Sequence, residues 1–157
     1  MQIRHELRPG DVDEIIRMHG AIYAREHGFD DTFEAYGAGP LAEFALQAGV
    51  RDRIWIAENG DRLVGCIAIV ESSQSDAQLR WFLIDPAARG RGLGRRLLTE
   101  AVEFCKTRGY HQVFLWTVNV LEQAARVYLA AGFARTRQHP RKLWGVDLVE
   151  ECYEKSL

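Results

Sequence analysis

The stretch Leu79-Arg80-Trp81-Phe82-Leu83-Ile84-Asp85-Pro86, followed shortly by Arg89-Gly90-Arg91-Gly92-Leu93-Gly94-Arg95-Arg96, decides how this chain folds. The first part is strand-like and is closed by Asp85-Pro86. Beyond the second, Leu93, Leu97, Leu98, Ala101, Val102 and Cys105 take up helical spacing, while Glu100, Glu103 and Lys106 fall away from that face. A glycine-rich turn that leaves a strand and opens a helix exposes backbone N–H groups without partners, where the helix dipole favours negative charge. Glycine places no side chain between amide and ligand. The simplest reading is a seat for a pyrophosphate. The run is not a Walker loop, because no Gly-Lys-Ser/Thr follows. Nor is it the dinucleotide fingerprint: its spacing is Gly-x-Gly-x-Gly, and hairpins precede it rather than the start of a βαβ fold. A flexible turn with solvated arginines is the plain alternative.

Upstream of this stretch, Ile3 to Leu7 reads as a first strand, broken by Pro9-Gly10. A helix follows from Asp11, with Glu14 three residues on as a capping box, and ends at Gly28. Thr32 to Ala48 is helical in pattern, but Gly37, Gly39 and Pro40 predict a break. Arg53–Glu58, Asn59-Gly60 and Leu63–Val70 form a hairpin signal, and Ala77–Ile84 is the fourth strand. Downstream, Val113–Val118 is a short apolar strand. Asn119 and Glu122 then read as an N-cap and capping box for a helix to Ala131, with Gly132 beyond its end. Ala134–His139 and Gly145–Tyr153 read as two last strands joined by a basic turn around Pro140. The order β-α-α-β-β-β-α-β-α-β-β implies an α+β fold, a mixed sheet with helices on both faces.

Length and composition narrow the class. At 157 residues, 47% apolar and 27% charged, the chain reads as one globular domain with a sizeable core. A formal net charge of −2 gives no global signal for nucleic acid or an anionic membrane. Cys66, Cys105 and Cys152 are widely spaced and form no Cys-x-x-Cys, so neither a disulfide framework nor a metal site is expected, and core packing is. The N-terminus has no apolar signal region and no stretch approaches a membrane span, so a cytoplasmic location is the default expectation.

Ile84-Asp85-Pro86, Arg89-Gly90-Arg91-Gly92-Leu93-Gly94 and Leu97-Leu98 together resemble the acyl-CoA-binding motif Gln/Arg-x-x-Gly-x-Gly/Ala of the GNAT N-acetyltransferases. The similarity continues through Asn119, Ala125, Tyr128, Gly132 and Phe133 and covers residues 53 to 134; the N-terminal third is similar only in element order. The Leu79–Phe82 and Leu115–Thr117 stretches also resemble the acetyltransferase half of bacterial regulator–acetyltransferase fusions.

The resemblance implies the GNAT fold over residues 1–157, with a central mixed sheet of about seven strands and four helices. It implies acetyl-CoA as cosubstrate, no metal, and transfer of the acetyl group by direct attack of an amine. Arg89, Gly90, Arg91, Gly92, Leu93, Gly94 and Arg95 would hold the phosphates, though neighbouring arginines on a helix cannot all face one ligand. Phe82, Leu83 and Ile84 would pair with the pantetheine arm beside a bulge, whose amide polarises the thioester. Asn119 would contact the same arm, and Tyr128 would protonate the departing thiolate. The family fixes no general base. Glu26, His27, Glu34 and Glu71 are candidates, with Glu71 ranked first for its place near Trp81. Tyr23, Phe29, Phe33, Tyr36, Trp81, Trp116 and Trp144 are available to line an acceptor pocket. A non-catalytic acyl-CoA sensor is the alternative. Nucleic-acid contact through the arginine run and Arg135–Lys142 is disfavoured by the net charge. The last strand leaves a homodimer open, and the acceptor is not legible.

Overall fold

The computed structural model describes all 157 residues. Its strands are β1 (Gln2–Arg4), β2 (Arg53–Asn59), β3 (Arg62–Glu71), β4 (Asp76–Ile84), β5 (Gln112–Val118), β6 (Ala134–Leu143) and β7 (Val146–Ser156). The helices are α1 (Asp11–His27), α2 (Thr32–Gln47), α3 (Leu93–Thr107) and α4 (Glu122–Ala130), and Pro86–Ala88 forms a single 3-10 turn. One seven-stranded sheet runs β1-β2-β3-β4-β5-β7-β6. Every pairing is antiparallel except β4 with β5. The element order expected from the sequence is the one observed.

Both faces of the sheet are covered, which is why β2 and β3 are apolar almost without interruption. Trp55, Ile67 and Ile69 pack with Leu97, Leu98, Ala101 and Cys105 of α3. From the same strands, Ile54, Ile56, Cys66 and Ala68 pack the other way, against Ile15, Met18 and Ile22 of α1 and Leu41 and Phe44 of α2. The fully buried leucines and isoleucines each contribute about 1.5–3 kcal/mol by leaving water. At the first strand, Arg4 joins β1, α1 and β2. Its guanidinium donates to Asp11 at 2.6 Å and Glu58 at 2.7 Å, all three groups being mostly buried.

Four local expectations are corrected. α2 is one helix straight through Pro40. Proline inside a helix costs about 3 kcal/mol, but Leu41 and Phe44 directly follow it and are anchored in the core. Gly37 meanwhile lets α2 lie close to Ile16 of α1. Asp11 and Glu14 make no capping box, because Asp11 is occupied by Arg4 and the Arg8 amide, and Glu14 by Arg17. The β2–β3 turn is centred on Gly60-Asp61, one residue later than read, since Asn59 pairs with Arg62. Finally, Pro140 lies inside β6, paired with Val149, and makes no turn. β6 is an edge strand, where a missing N–H is tolerated. The turn falls at Trp144-Gly145, both at positive φ (51° and 77°), as a two-residue hairpin of type I′ requires. A tryptophan stands there because its ring packs against Phe29 and Phe33, at 4.9 and 4.8 Å.

Candidate active site

The site begins with a fault in the sheet. Along β3, Cys66 pairs with Leu83 but Ala68 pairs with Arg80, so Ile67 opposes both Trp81 and Phe82. This is a bulge, and Trp81 carries its strain at φ 51°. The Cys66 thiol donates to the Trp81 carbonyl at 3.1 Å and braces it. Beyond this point β4 and β5 part company. They pair only over Asp76–Gln78 and Gln112–Phe114, while β5 stays paired with β7 as far as Val118. The result is a wedge open between the two central strands.

One cavity, of about 880 Å³, lies at the wide end of the wedge. Phe82, Leu83 and Ile84 form one wall, residues 88–95 a second, and Val120, Leu121, Ala124 and Val127 a third. Asp85 sets up the turn by accepting from the Ala87 amide at 2.9 Å while pairing with Arg62. Gly90 and Gly92 then sit at φ 80° and 79°, a backbone region that side chains disfavour. A Cβ on either would meet nothing within 4 Å, because the space before them is the cavity. No backbone carbonyl accepts from the amides of Gly90, Arg91, Gly92, Leu93, Gly94 or Arg95; the ladder resumes with Arg96 donating to Gly92. A row of free donors at a helix N-terminus is the kind of surface an anion binds.

The arginines divide as geometry requires. Arg91 and Arg95 line the cavity. Arg96 faces away, paired with Glu100 at 3.1 Å. Arg89 also lines the cavity, but its guanidinium is engaged by Glu26 at 2.8 and 3.1 Å and by the Ile84 carbonyl, so it clips the loop to α1.

A second cavity, of about 160 Å³, lies between β4, β5 and the first two helices. It shares Tyr23, Phe82, Leu121 and Ala124 with the first, so the two meet there. Tyr128 lines this smaller cavity, its ring 5.9 Å from Phe82. Burial, and then the nearby Tyr23 and Tyr153, push its phenol well above the ordinary tyrosine range. Tyr23 is raised the same way, by burial and then Cys66. Phe29, Phe33, Tyr36, Trp81, Trp116 and Trp144, all named from the sequence, line it too.

Two expected residues are not brought to the site. The Asn119 side-chain oxygen accepts from the Val149 amide at 2.8 Å, and the Asn119 backbone N–H donates to the Val149 carbonyl at 2.9 Å. It neither caps α4, whose N-cap is Leu121, nor lines either cavity. Glu71 ends β3 at the closed end of the wedge, paired with Arg51 at 2.6 Å, and lines neither cavity. Of the other proposed bases, Glu26 and His27 line the large cavity and Glu34 the small one.

His19 stands on the buried face of α1. It lines the small cavity, and its Nδ1–H donates to the Ile15 carbonyl at 2.7 Å. That bond leaves the lone pair on Nε2, a buried atom with no partner in the protein. Burial, opposed by the bond to Ile15, pulls the ring's pKa down to about 4. The only signal in the sequence is a histidine on an apolar face. The three thiols are free and buried; burial pushes Cys66 and Cys105 up to about 12 and Cys152 in the same direction, so none is a ready nucleophile.

A splayed sheet with an anion-binding turn at the mouth defines an acyl-CoA acyltransferase fold, and comparison with known proteins agrees. Residues 18–133 match the acetyltransferase (GNAT) family, and the chain belongs to that family. Mycothiol acetyltransferase of Thermobispora bispora is 34% identical over 151 residues, 92% of this chain and 44% of that protein. N-acetyltransferase 8B of Rattus norvegicus is 30% identical over 108 residues, 63% of this chain and 49% of that protein. The chain spans about half the length of these curated relatives. Among solved structures, yncA of Salmonella typhimurium, determined with its cofactor acetyl-CoA, superposes with a TM-score of 0.78 at 17% identity, covering 99% of this chain and 93% of that one. No helix is long and apolar enough to cross a membrane, and no cluster of His, Cys, Asp and Glu has the make-up of a metal site.

Proposed function

We propose that this chain transfers an acetyl group from acetyl-CoA to an amine. The observation that carries the reading is the row of six free amides from Gly90 to Arg95, opening onto the large cavity. These amides would hold the pyrophosphate, with Arg91 and Arg95 adding charge-assisted contacts. Phe82, Leu83 and Ile84 would present main-chain groups to the pantetheine arm along the unpaired edge of β4. The thioester then reaches the junction of the two cavities, where a backbone amide of the Phe82–Leu83 stretch stabilises the developing oxyanion.

The acceptor nitrogen forms the new C–N bond as the C–S bond breaks. Entering as the neutral amine, it sheds one proton; the leaving sulfur takes one from the Tyr128 hydroxyl, and the proton shed by nitrogen restores that hydroxyl. The raised Tyr128 pKa keeps that proton in place at neutral pH. Burial raises the basicity of sulfur as well, as the buried Cys66 thiol shows at about 12, so the leaving thiolate is a better proton acceptor there than in water. Calorimetric titration with acetyl-CoA tests the reading, with saturable binding expected below millimolar ligand. No heat at millimolar acetyl-CoA removes it. Binding without transfer to any member of an amine panel leaves an acyl-CoA sensor instead.

A further inference from the structure

The small cavity contains a charge that nothing in the protein answers. Arg80, on β4 just before the bulge, is half-buried and lines this cavity. The Tyr36 phenol lies near it, and no carboxylate pairs with it. The guanidinium rests on the Trp81 ring, 4.8 Å from its centroid, which leaves the N–H edges free. An arginine does not shed its charge when buried, and its planar fork fits a carboxylate best. Two acids also line the cavity. Glu150 is already held by Arg141 at 3.0 Å. Glu34 has no ion pair, and its carboxylate lies against α1 where Gly20 lacks a side chain.

The remaining wall is aromatic, with Phe29, Phe33 and Trp144 among its rings. Its volume of about 160 Å³ is close to that of an apolar cavity of about 150 Å³ that takes up benzene. The small cavity thus offers one free cation, one free acceptor in Glu34 and room for a ring. We propose that the acceptor is a free amino acid with an aromatic or bulky apolar side chain, its carboxylate received by Arg80. Glu34 matches the nitrogen end, and the rings take the side chain. This rests on the acetyl-transfer reading, whose amine it specifies.

Calorimetry with three probes tests it, each with and without saturating CoA: phenylalanine, phenethylamine (no carboxylate) and 3-phenylpropionate (no amine). Phenylalanine is expected to bind the wild-type protein at least about tenfold more tightly than phenethylamine, as a charge-assisted pair implies. Arg80→Met should bring that ratio near one and remove 3-phenylpropionate binding, and Arg80→Lys should restore part of both. The proposal is overturned if phenethylamine binds as tightly as phenylalanine, or if neither binds. Should Arg80→Met fail to fold, the wild-type pair still decides. Failure of CoA to bind sinks the acetyl-transfer reading alone, because the ratio measured without CoA still judges the amino-acid pocket.

Discussion

Around the large cavity the decisive wall is main chain. Six successive amides from one eight-residue stretch face it, and glycines keep their approach clear. Around the small cavity the wall is side chains, drawn from α1, α2, β4, β5, α4, β7 and the Trp144 turn. Main-chain recognition suits a ligand part that never varies, because it asks only for a backbone path. Side-chain recognition suits the part that distinguishes one enzyme from another, because each wall residue changes independently. If the large cavity seats the donor and the small one the acceptor, as proposed, the donor seat is local and the acceptor seat is assembled.

That contrast can be broken most directly at Gly92. Gly92→Glu places a carboxylate where the diphosphate belongs, at a φ a side chain resists. Acetyl-CoA affinity should fall more than a hundredfold, read by calorimetry, with the far-ultraviolet circular dichroism retained. A glutamate variant that still binds would show that the amides are not the seat.

The assembled cavity should show its stress in stability. His19 is held neutral, down to about 4 from 6.5, so between those pH values the unfolded chain binds more protons than the native one. Its contribution is therefore complete above about pH 6.5, is lost as pH falls, and is gone below about pH 4. The total is about 3 kcal/mol. Urea unfolding between pH 7 and pH 4 should show this decline in the wild type and a shallower one in His19→Gln.

At the junction, Tyr128→Phe separates binding from chemistry. Loss of a general acid should lower kcat about a hundredfold and leave acetyl-CoA affinity within about twofold. Equal turnover would pass the role to Tyr23, which lines both cavities. The smallest effect is expected outside both. Glu71→Gln should leave kcat/KM within about twofold, because Glu71 is paired with Arg51 at the closed end of the wedge and lines neither cavity. A large loss there would restore it as the base.

The order and type of the elements were readable, since apolar periodicity, glycine and turn signals act over a few residues. So were the turn from Arg89 to Arg95, whose donors are its own amides, and the GNAT family itself. The residues misjudged were those whose partners lie far along the chain. Asn119 looked like a cap until Val149, thirty residues on, took its side chain. Arg89 looked free until Glu26, 63 residues away, met it. Pro40 predicted a break that the core contacts of Leu41 and Phe44 override.

By itself, then, the sequence determined the sheet-and-helix order and the glycine turn with its free amides, because both are written in consecutive residues. Only the tertiary structure decided the small cavity, with Arg80 uncompensated, Nε2 of His19 unpaired and Glu71 turned elsewhere. Charge pairing and burial belong to the packed whole, and a side chain's neighbours in space are not its neighbours in the chain.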